Sequence, residues 1–140
     1  RGDTGICVDL VKGHHNLGIS SENGYIVPLD CGATGKTLLA AQSDELVERL
    51  IQNYPGLEEK LRNQVKEIRQ RGYCISEGEV DEGVAAVAVP LPMPDHIYTL
   101  TYSGPVERLR GLDYMVLVHS LQQAVKNILL KCDGKRKEAL

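Results

Sequence analysis

Residues 84–103 read VAAVAVPLPMPDHIYTLTYS, and this stretch decides the fold. Two runs rich in strand-forming residues, Val84 to Leu91 and Ile97 to Ser103, flank the short loop Pro92-Met93-Pro94-Asp95. A loop of that length suits two antiparallel strands, whereas parallel strands need a crossover of a dozen or more residues. The stretch therefore predicts an antiparallel hairpin rather than a helical crossover.

One face of this predicted hairpin has unusually small side chains. Because successive side chains of a strand point to opposite faces, the two strands place on one face Val84, Ala86, Ala88, Ile97, Thr99, Thr101 and Ser103. Alanines leave volume and hydroxyls offer hydrogen bonds, which together favour a pocket for a small polar ligand. A hydroxyl ladder that faces water fits the same pattern, and the pattern by itself leaves both interpretations open.

Four helices are predicted, and three of them are recognised by their caps or their apolar periodicity. Ser43 is a suitable N-cap for a helix over 44–53, and Gly72 is a suitable C-cap for an amphipathic helix that begins near Leu57. The longest helix is predicted over Leu112 to Lys131. Shorter strands are predicted at Ile6 to Val11, Leu17 to Ser20, Tyr25 to Leu29 and Tyr73 to Ile75. The fold class is therefore α+β, GAF-like or PAS-like, a mainly antiparallel sheet flanked by helices on both sides.

A glycine-rich turn over 31–35 leads into a helix that begins near Lys36. Its Gly-Lys-Thr sequence is similar to a nucleotide-binding P-loop, but that motif requires glycine at position 30, where this chain has Asp30. The free N–H groups of Ala33, Thr34 and Gly35 at the start of the helix could still bind a carboxylate. An ordinary turn whose N–H groups bond to water is the alternative.

Composition limits the classes of protein that the chain can belong to. Its 140 residues with 42% hydrophobic content suit one domain, and its net charge of -3 with a short basic tail at 135–137 does not favour direct DNA contact. No apolar run approaches the roughly 20 residues of a membrane span, and no signal peptide is recognisable. We therefore expect a soluble, cytoplasmic domain that does not itself bind DNA.

Few residues suggest catalysis or metal binding. The four cysteines are widely spaced, and the adjacent His14 and His15 are poorly arranged to hold one ion with distant His96 or His119. The acidic residues Glu77, Glu79, Asp81 and Glu82 are interpreted as a solvated loop. We expect no metal, no cofactor and no catalytic residues. The alternative is an enzyme acting on small acids through a thiolate at Cys31, beside the helix N-terminus.

Several segments together resemble the isocitrate-lyase-regulator (IclR) family of bacterial transcription regulators. The similar segments, in family order, are Gly24 to Leu29 with Gly32 to Ala40, Ile68 to Tyr73, Gly83 to Pro90, and Ser103 to Pro105. The resemblance implies that residues 1–140 form a GAF-like effector-binding domain that lacks the N-terminal winged helix-turn-helix, the linker helix and the first strand. It further implies a sensor, not an enzyme, that binds a small organic acid or related metabolite and forms dimers and tetramers. Such a domain reaches DNA only through the missing N-terminal domain, and the whole regulator is a repressor or an activator.

The resemblance also implicates particular pocket residues. Carried over by position, these are Ile19, Ala33, Thr34, Ser76, Val84, Ala86, Ala88, Thr101 and Ser103. Three positions depart from the family pattern, with Asp30 in place of a usual histidine, Ser76 in place of a frequent aspartate, and Ala86 in place of a common cysteine. Because Asp30 would disfavour a second anion, we hypothesise a ligand with an additional hydroxyl or amine. An oligomerisation module whose pocket is filled by side chains is a further alternative.

Overall fold

A computed structural model of the chain describes residues 4–11, 13 and 23–139, and the side chains of these residues as far as Gly134. Five strands and five helices occur in this part of the chain. In chain order they are β1 (Gly5–Ile6), β2 (Ile26–Val27), α1 (Ala33–Ala40), α2 (Asp44–Ile51), α3 (Glu58–Arg71), β3 (Cys74–Glu77), β4 (Val84–Pro92), β5 (Ile97–Pro105), α4 (Val106–Leu112) and α5 (Tyr114–Ala139).

The central sheet is antiparallel and has the order β3-β4-β5, which confirms the predicted hairpin. Its register places Ala88 opposite both Cys74 and Thr101, and Ala86 opposite both Ser76 and Ser103. Helices cover both faces, so the predicted α+β architecture is also confirmed. One face packs on α1 to α3 through Cys74 and Ala88, whereas the other packs on α4 and α5 through Ala85, Val87 and Val89.

The helix caps follow the sequence signals. Ser43 Oγ accepts the backbone N–H of Leu46 at 3.3 Å, and Gly72 ends α3 in the left-handed conformation with φ 82°. Arg69 joins α3 to the end of α1, because its guanidinium donates to the carbonyls of Ala40 at 2.8 Å and Gln42 at 2.7 Å. Arg62 pairs with Glu48 of α2. These contacts fix α1 in position over the sheet.

Close packing also holds the start of α1 against the segment that follows β2. A Cβ on Gly35 would lie only 1.7 Å from the carbonyl oxygen of Pro28. Glycine is therefore required where the helix meets residues 28 and 29. Pro28 itself follows the last residue of β2, as expected for a residue that cannot donate a ladder hydrogen bond.

The region between the hairpin and the longest helix differs from the prediction. A separate helix, α4, occupies Val106–Leu112, and α5 begins only at Tyr114. Asp113 separates them with φ 71°, a backbone conformation that breaks the helix. Its Oδ1 accepts the N–H of Met115 at 3.0 Å and so caps α5. The helix α5 packs on the sheet through Val118 and Leu121, with Tyr114 and Val125 alongside.

The first strands are shorter than predicted. Only two residues of each, in β1 and β2, pair with one another in a small antiparallel sheet. The predicted strand over 17–20 lies outside the described residues, as do Ile19, His14 and His15. No helix in the described part of the chain is long and apolar enough to cross a membrane.

Candidate functional site

The face of the sheet toward α1 carries two rows of small and polar side chains. The strand register aligns Ser76, Ala86 and Ser103 in one row, and Cys74, Ala88 and Thr101 in the next. Ala88 and Cys74 are buried, Ala86 and Thr101 are half-buried, and Ser103 is exposed. The second row is therefore covered by the helical layer, while the first row opens toward solvent at Ser103.

The N-terminus of α1 lies directly against these rows. The backbone N–H of Ala33 donates to Ser76 Oγ at 3.0 Å, and the hydroxyls of Thr34 and Thr101 lie 2.8 Å apart. The N–H of Thr34 has no hydrogen-bond partner among the described residues. An N–H at the first turn of a helix is a strong site for an anion. The structure thus leaves this donor free beside two hydroxyl-bearing strands.

Glu79 and Lys36 form an ion pair at the same helix end. Glu79 Oε1 accepts the N–H of Gly32 at 3.2 Å, and it lies 2.8 Å from Lys36 Nζ. The Lys36 side chain is only 6% exposed, so Glu79 is the partner that allows this cation to be buried. Glu79 lies in the predicted acidic loop and its side chain is 34% exposed, but its contacts with Lys36 and Gly32 were not predicted.

Glu77, the neighbour of Ser76, points to the opposite face of the sheet. Its carboxylate accepts from Arg110 Nε at 3.1 Å and from the Tyr114 hydroxyl at 2.6 Å. The hydrogen bond from Arg110 is the main reason that the pKa of Glu77 is lowered, and the Tyr114 hydroxyl adds to the effect. Glu77 is the last residue of β3 and connects this strand to α4 and α5, so interpreting it as part of a solvated loop was wrong.

Most of the predicted pocket residues lie on one surface. Ala33, Thr34, Ser76, Ala88 and Thr101 are joined by hydrogen bonds or by packing in one core cluster. Ala86 packs against that cluster, and its neighbours on the same face are Ser103 across the sheet and Val84 at the start of β4. Ile19 lies outside the described residues. The roles of Lys36 and Glu79 were not predicted from the sequence. A lysine between small and apolar helix residues is nevertheless a signal that the charge is buried and needs an anionic partner.

The Cys31 thiol does not have the environment of a nucleophile. Burial raises its pKa, and the nearby carboxylates of Asp30 and Glu79 raise it further. A nucleophilic cysteine needs the opposite effect, a lowered pKa that favours the thiolate. This position therefore gives no support to the cysteine-dependent enzyme considered above.

A cavity of about 290 Å³ lies next to this site, between α3 and β3. Gln64, Glu67, Ile68 and Arg71 of α3 line it, and Lys36 and Glu79 form part of its wall. It includes none of the pocket residues carried over from the family resemblance. The cavity and the hydroxyl-bearing face are therefore two adjacent surfaces that share Cys74 and the ion pair of Lys36 with Glu79.

Comparison with known proteins agrees with this arrangement. Residues 1–130 match the family model described as bacterial transcriptional regulator IclR, C-terminal. A probable transcriptional regulator SauR from Cupriavidus necator is 33% identical over 99 residues. The match covers 64% of this chain and 39% of SauR, so the matched stretch spans well under half the length of that relative.

Two solved structures have the same fold. The C-terminal domain of a putative transcriptional regulator from Vibrio cholerae is 25% identical, with a TM-score of 0.77 over 90% of this chain and 79% of that one. A double mutant of the PobR inducer-binding domain from Acinetobacter, in complex with 3-hydroxybenzoic acid, is 26% identical, with a TM-score of 0.66 over 79% of this chain and 71% of that one. The family match, the fold and the polar face beside α1 agree, and the chain belongs to the IclR family of bacterial transcriptional regulators, matching the C-terminal part of those proteins.

Proposed function

We propose that the chain is the effector-sensing domain of a DNA-binding regulator and that it binds a small organic acid between α1 and the first polar row of the sheet. The unpaired N–H of Thr34, beside the hydroxyl-bearing face, carries this proposal. The ligand carboxylate accepts from this N–H, which is favoured by the dipole of α1. The domain acts as a sensor and catalyses no reaction.

The hydroxyl groups of the site have hydrogens to offer. Ser76 Oγ accepts the N–H of Ala33, so its own O–H remains available to donate to the ligand. One hydroxyl of the Thr34 and Thr101 pair donates to the other, and the remaining hydrogen is free in the same way. Ser103, exposed at the open end of the first row, supplies a further polar contact. Val84, Ala86, Ala88 and Ile19 form the apolar part of the pocket in this proposal.

The local charges favour a ligand with one carboxylate. Lys36 is already balanced by Glu79, which leaves Asp30 as an additional negative charge near the start of α1. A second ligand carboxylate would be repelled there, whereas a hydroxyl or an amine would not. The PobR inducer-binding domain holds 3-hydroxybenzoic acid, a monocarboxylic acid with a hydroxyl, and this is a suitable first probe.

Control of DNA binding requires the complete regulator, including its N-terminal DNA-binding domain. A ligand shifts an equilibrium between arrangements only by its difference in affinity for them. In this proposal the domains assemble as dimers or tetramers, and the acid favours one subunit arrangement, which the N-terminal DNA-binding domain then presents to DNA. The isolated chain binds the acid but not DNA.

The test is a thermal-shift screen of the domain against hydroxy, keto, sugar and aromatic acids, including 3-hydroxybenzoate. At a ligand concentration a hundred times the Kd, binding stabilises by about 2.7 kcal/mol, which gives a clear rise in Tm. Thr101→Val and Ser103→Ala are expected to weaken the response, and Thr99→Val, two residues away on the same strand face, is the matched control. If no acid raises the Tm, or if Thr101→Val and Thr99→Val behave alike, the oligomerisation module is the better interpretation.

A further inference from the structure

The strand β5 forms an open edge of the central sheet. It pairs with β4 on one side and with no other strand in the part of the chain that the structure describes. Residues 97–103 read IYTLTYS, with no charge and no proline, and their register with β4 has no bulge. Charged side chains, proline, bulges or a covering segment are the usual protections of a long edge strand. Since β5 has none of the first three, we expect another strand to cover its edge.

Every second residue of β5 directs its backbone N–H and C=O groups toward this open edge. In an antiparallel pair, hydrogen-bonded and non-hydrogen-bonded pairs of opposite residues alternate. The N–H of Met93 donates to the carbonyl of His96 at 3.1 Å, and the N–H of Val106 donates to the carbonyl of Gly83 at 2.9 Å. Counting from either pair along the register gives the same alternation. The β5 residues whose backbone groups point away from β4 are Ile97, Thr99, Thr101 and Ser103.

The sequence of β5 is symmetric about Leu100. Residues 98–102 read Tyr-Thr-Leu-Thr-Tyr, which is the same in both directions. When two such strands lie antiparallel about Leu100, Thr99 of one copy lies opposite Thr101 of the other. Tyr98 likewise lies opposite Tyr102. Threonine pairs and aromatic pairs are among the cross-strand contacts that stabilise sheets. In the same register the outward backbone groups of Thr99 meet those of Thr101, so the two residues exchange hydrogen bonds.

The face of the sheet beneath α5 leaves apolar surface uncovered at this edge. Helix α5 begins over the far edge of the sheet, where the Tyr114 hydroxyl contacts Glu77 of β3. Tyr98 of β5 is only half-buried, and Tyr102 is 44% exposed. A second copy placed along β5 would cover these tyrosines with its own. Because the removal of apolar surface from water favours association, the side chains and the backbone of β5 favour the same contact.

We propose that two copies of this chain associate through β5, antiparallel and with Leu100 of one copy opposite Leu100 of the other. The two sheets then form one continuous sheet across a two-fold axis. Because each copy offers the same strand, the contact is isologous and gives a closed dimer rather than a filament. This inference goes beyond the proposed function, since the pairing needs neither an acid nor a DNA-binding domain. It uses the backbone of Thr101, whereas the proposed acid site uses the hydroxyl of that residue.

Sedimentation equilibrium of the acid-free domain over a range of concentrations tests the proposal, and the expected result is a dimer. Thr99→Pro removes an N–H that points away from β4, so the strand keeps its bonds within the chain and loses bonds to the second copy. We expect the dimer dissociation constant to rise at least about tenfold, because each copy loses a hydrogen bond to the other. Thr99→Val, the matched control, keeps the N–H and the branched side chain and should dimerise like the wild type. Circular dichroism melting verifies that Thr99→Pro still folds.

Disulfide crosslinking tests the register without a proline variant. In the proposed register the two copies of residue 100 form a non-hydrogen-bonded pair with Cα atoms about 4.5 Å apart, which a disulfide can bridge. Leu100→Cys should therefore crosslink the copies on oxidation. Tyr102→Cys should not, because the two copies of residue 102 lie roughly 13 Å apart. Mass spectrometry distinguishes the linked peptide from those of the four native cysteines.

A monomer at every concentration would overturn the proposal, including the case in which a segment of the same chain covers β5. Equal dimerisation of Thr99→Pro and Thr99→Val contradicts it as well, as does crosslinking of Tyr102→Cys as readily as of Leu100→Cys. Because self-association is measured without any acid, its outcome is independent of the thermal-shift screen for acid binding.

Discussion

Lys36 Nζ lies 2.8 Å from Glu79 Oε1, and the two residues join the first turn of α1 to the loop after β3. The contact links positions 43 residues apart in the chain. It places a buried cation next to the helix N-terminus, where the carboxylate also accepts the N–H of Gly32. The pair therefore connects the loop after β3 to the start of α1 through two residues of the chain itself.

Glu79→Gln is expected to destabilise the domain by about 2–4 kcal/mol, because it leaves the buried Lys36 charge without its partner. Denaturant unfolding measures the change. The double variant Lys36→Met with Glu79→Gln removes both charges and should recover part of the loss. A single variant as stable as the wild type would mean that Lys36 reaches water or another anion.

Ser76→Ala is expected to cost about 1–3 kcal/mol of unfolding free energy, since it removes the acceptor of the Ala33 N–H in a buried position. Ser103→Ala, on the same row but exposed, is the matched control and should change stability by less than about 0.5 kcal/mol. Equal effects at the two serines would contradict the assigned hydrogen bond.

Gly35→Ala is expected to prevent α1 from packing against residues 28 and 29, because the new Cβ would lie 1.7 Å from the Pro28 carbonyl oxygen. We expect a loss of about 4 kcal/mol or more, or no folded protein. Gly111→Ala in α4 is the control, because a Cβ there meets nothing within 4 Å and should stabilise the helix by about 0.5–1 kcal/mol. Circular dichroism melting distinguishes these outcomes.

Glu77 makes stability depend on pH. Hydrogen bonds from Arg110 and Tyr114 lower its pKa in the folded state. The stability that the ionised Glu77 carboxylate contributes to the folded state is therefore fully present above the ordinary carboxyl pKa of 4.5. It is lost as the pH falls through the lower pKa of the folded state. As the pH is lowered from about 5, the Tm of the Glu77→Gln variant should fall less steeply than the Tm of the wild type. Parallel profiles for the two proteins would exclude this contribution.

Cys31 should react slowly with iodoacetamide at neutral pH, because burial and the nearby carboxylates raise the pKa of its thiol. Mass spectrometry of the alkylated peptide, with free glutathione as the reference thiol, measures the rate. Reaction at Cys31 faster than at glutathione would revive the hypothesis of a cysteine-dependent enzyme.

Local signals predicted most of the fold. Strand alternation predicted the two faces of β4 and β5, and the signals at Ser43 and Gly72 predicted helix ends, because each depends on residues close together in sequence. The helix α4 was not predicted, since its seven residues are too few for a clear apolar period. Its end depends on Asp113, a non-glycine residue with positive φ that sequence does not reveal.

The candidate site was predicted only in part. Residues at one helix end, Ala33 and Thr34, and residues on one strand face, such as Thr101, can be grouped from sequence. The family resemblance, and not the local pattern, added Ser76 and joined the two groups into one pocket. The roles of Glu77 and Glu79 were not predicted, because their partners are 33 and 43 residues away and an acidic loop is usually solvated. The hydrogen bond from the Ala33 N–H to Ser76 Oγ was likewise apparent only from the structure.

The segment from β3 to Glu79 divides its polar side chains between two layers of the domain. Ser76 and Glu79 contact the start of α1, while Glu77 contacts Arg110 and Tyr114 on the other face. Adding or deleting one residue in this segment would exchange the faces, sending the serine toward α5 and a carboxylate toward the helix N-terminus. The segment can therefore accept changes of residue type far more readily than changes of length, and natural variants of this domain should preserve its spacing.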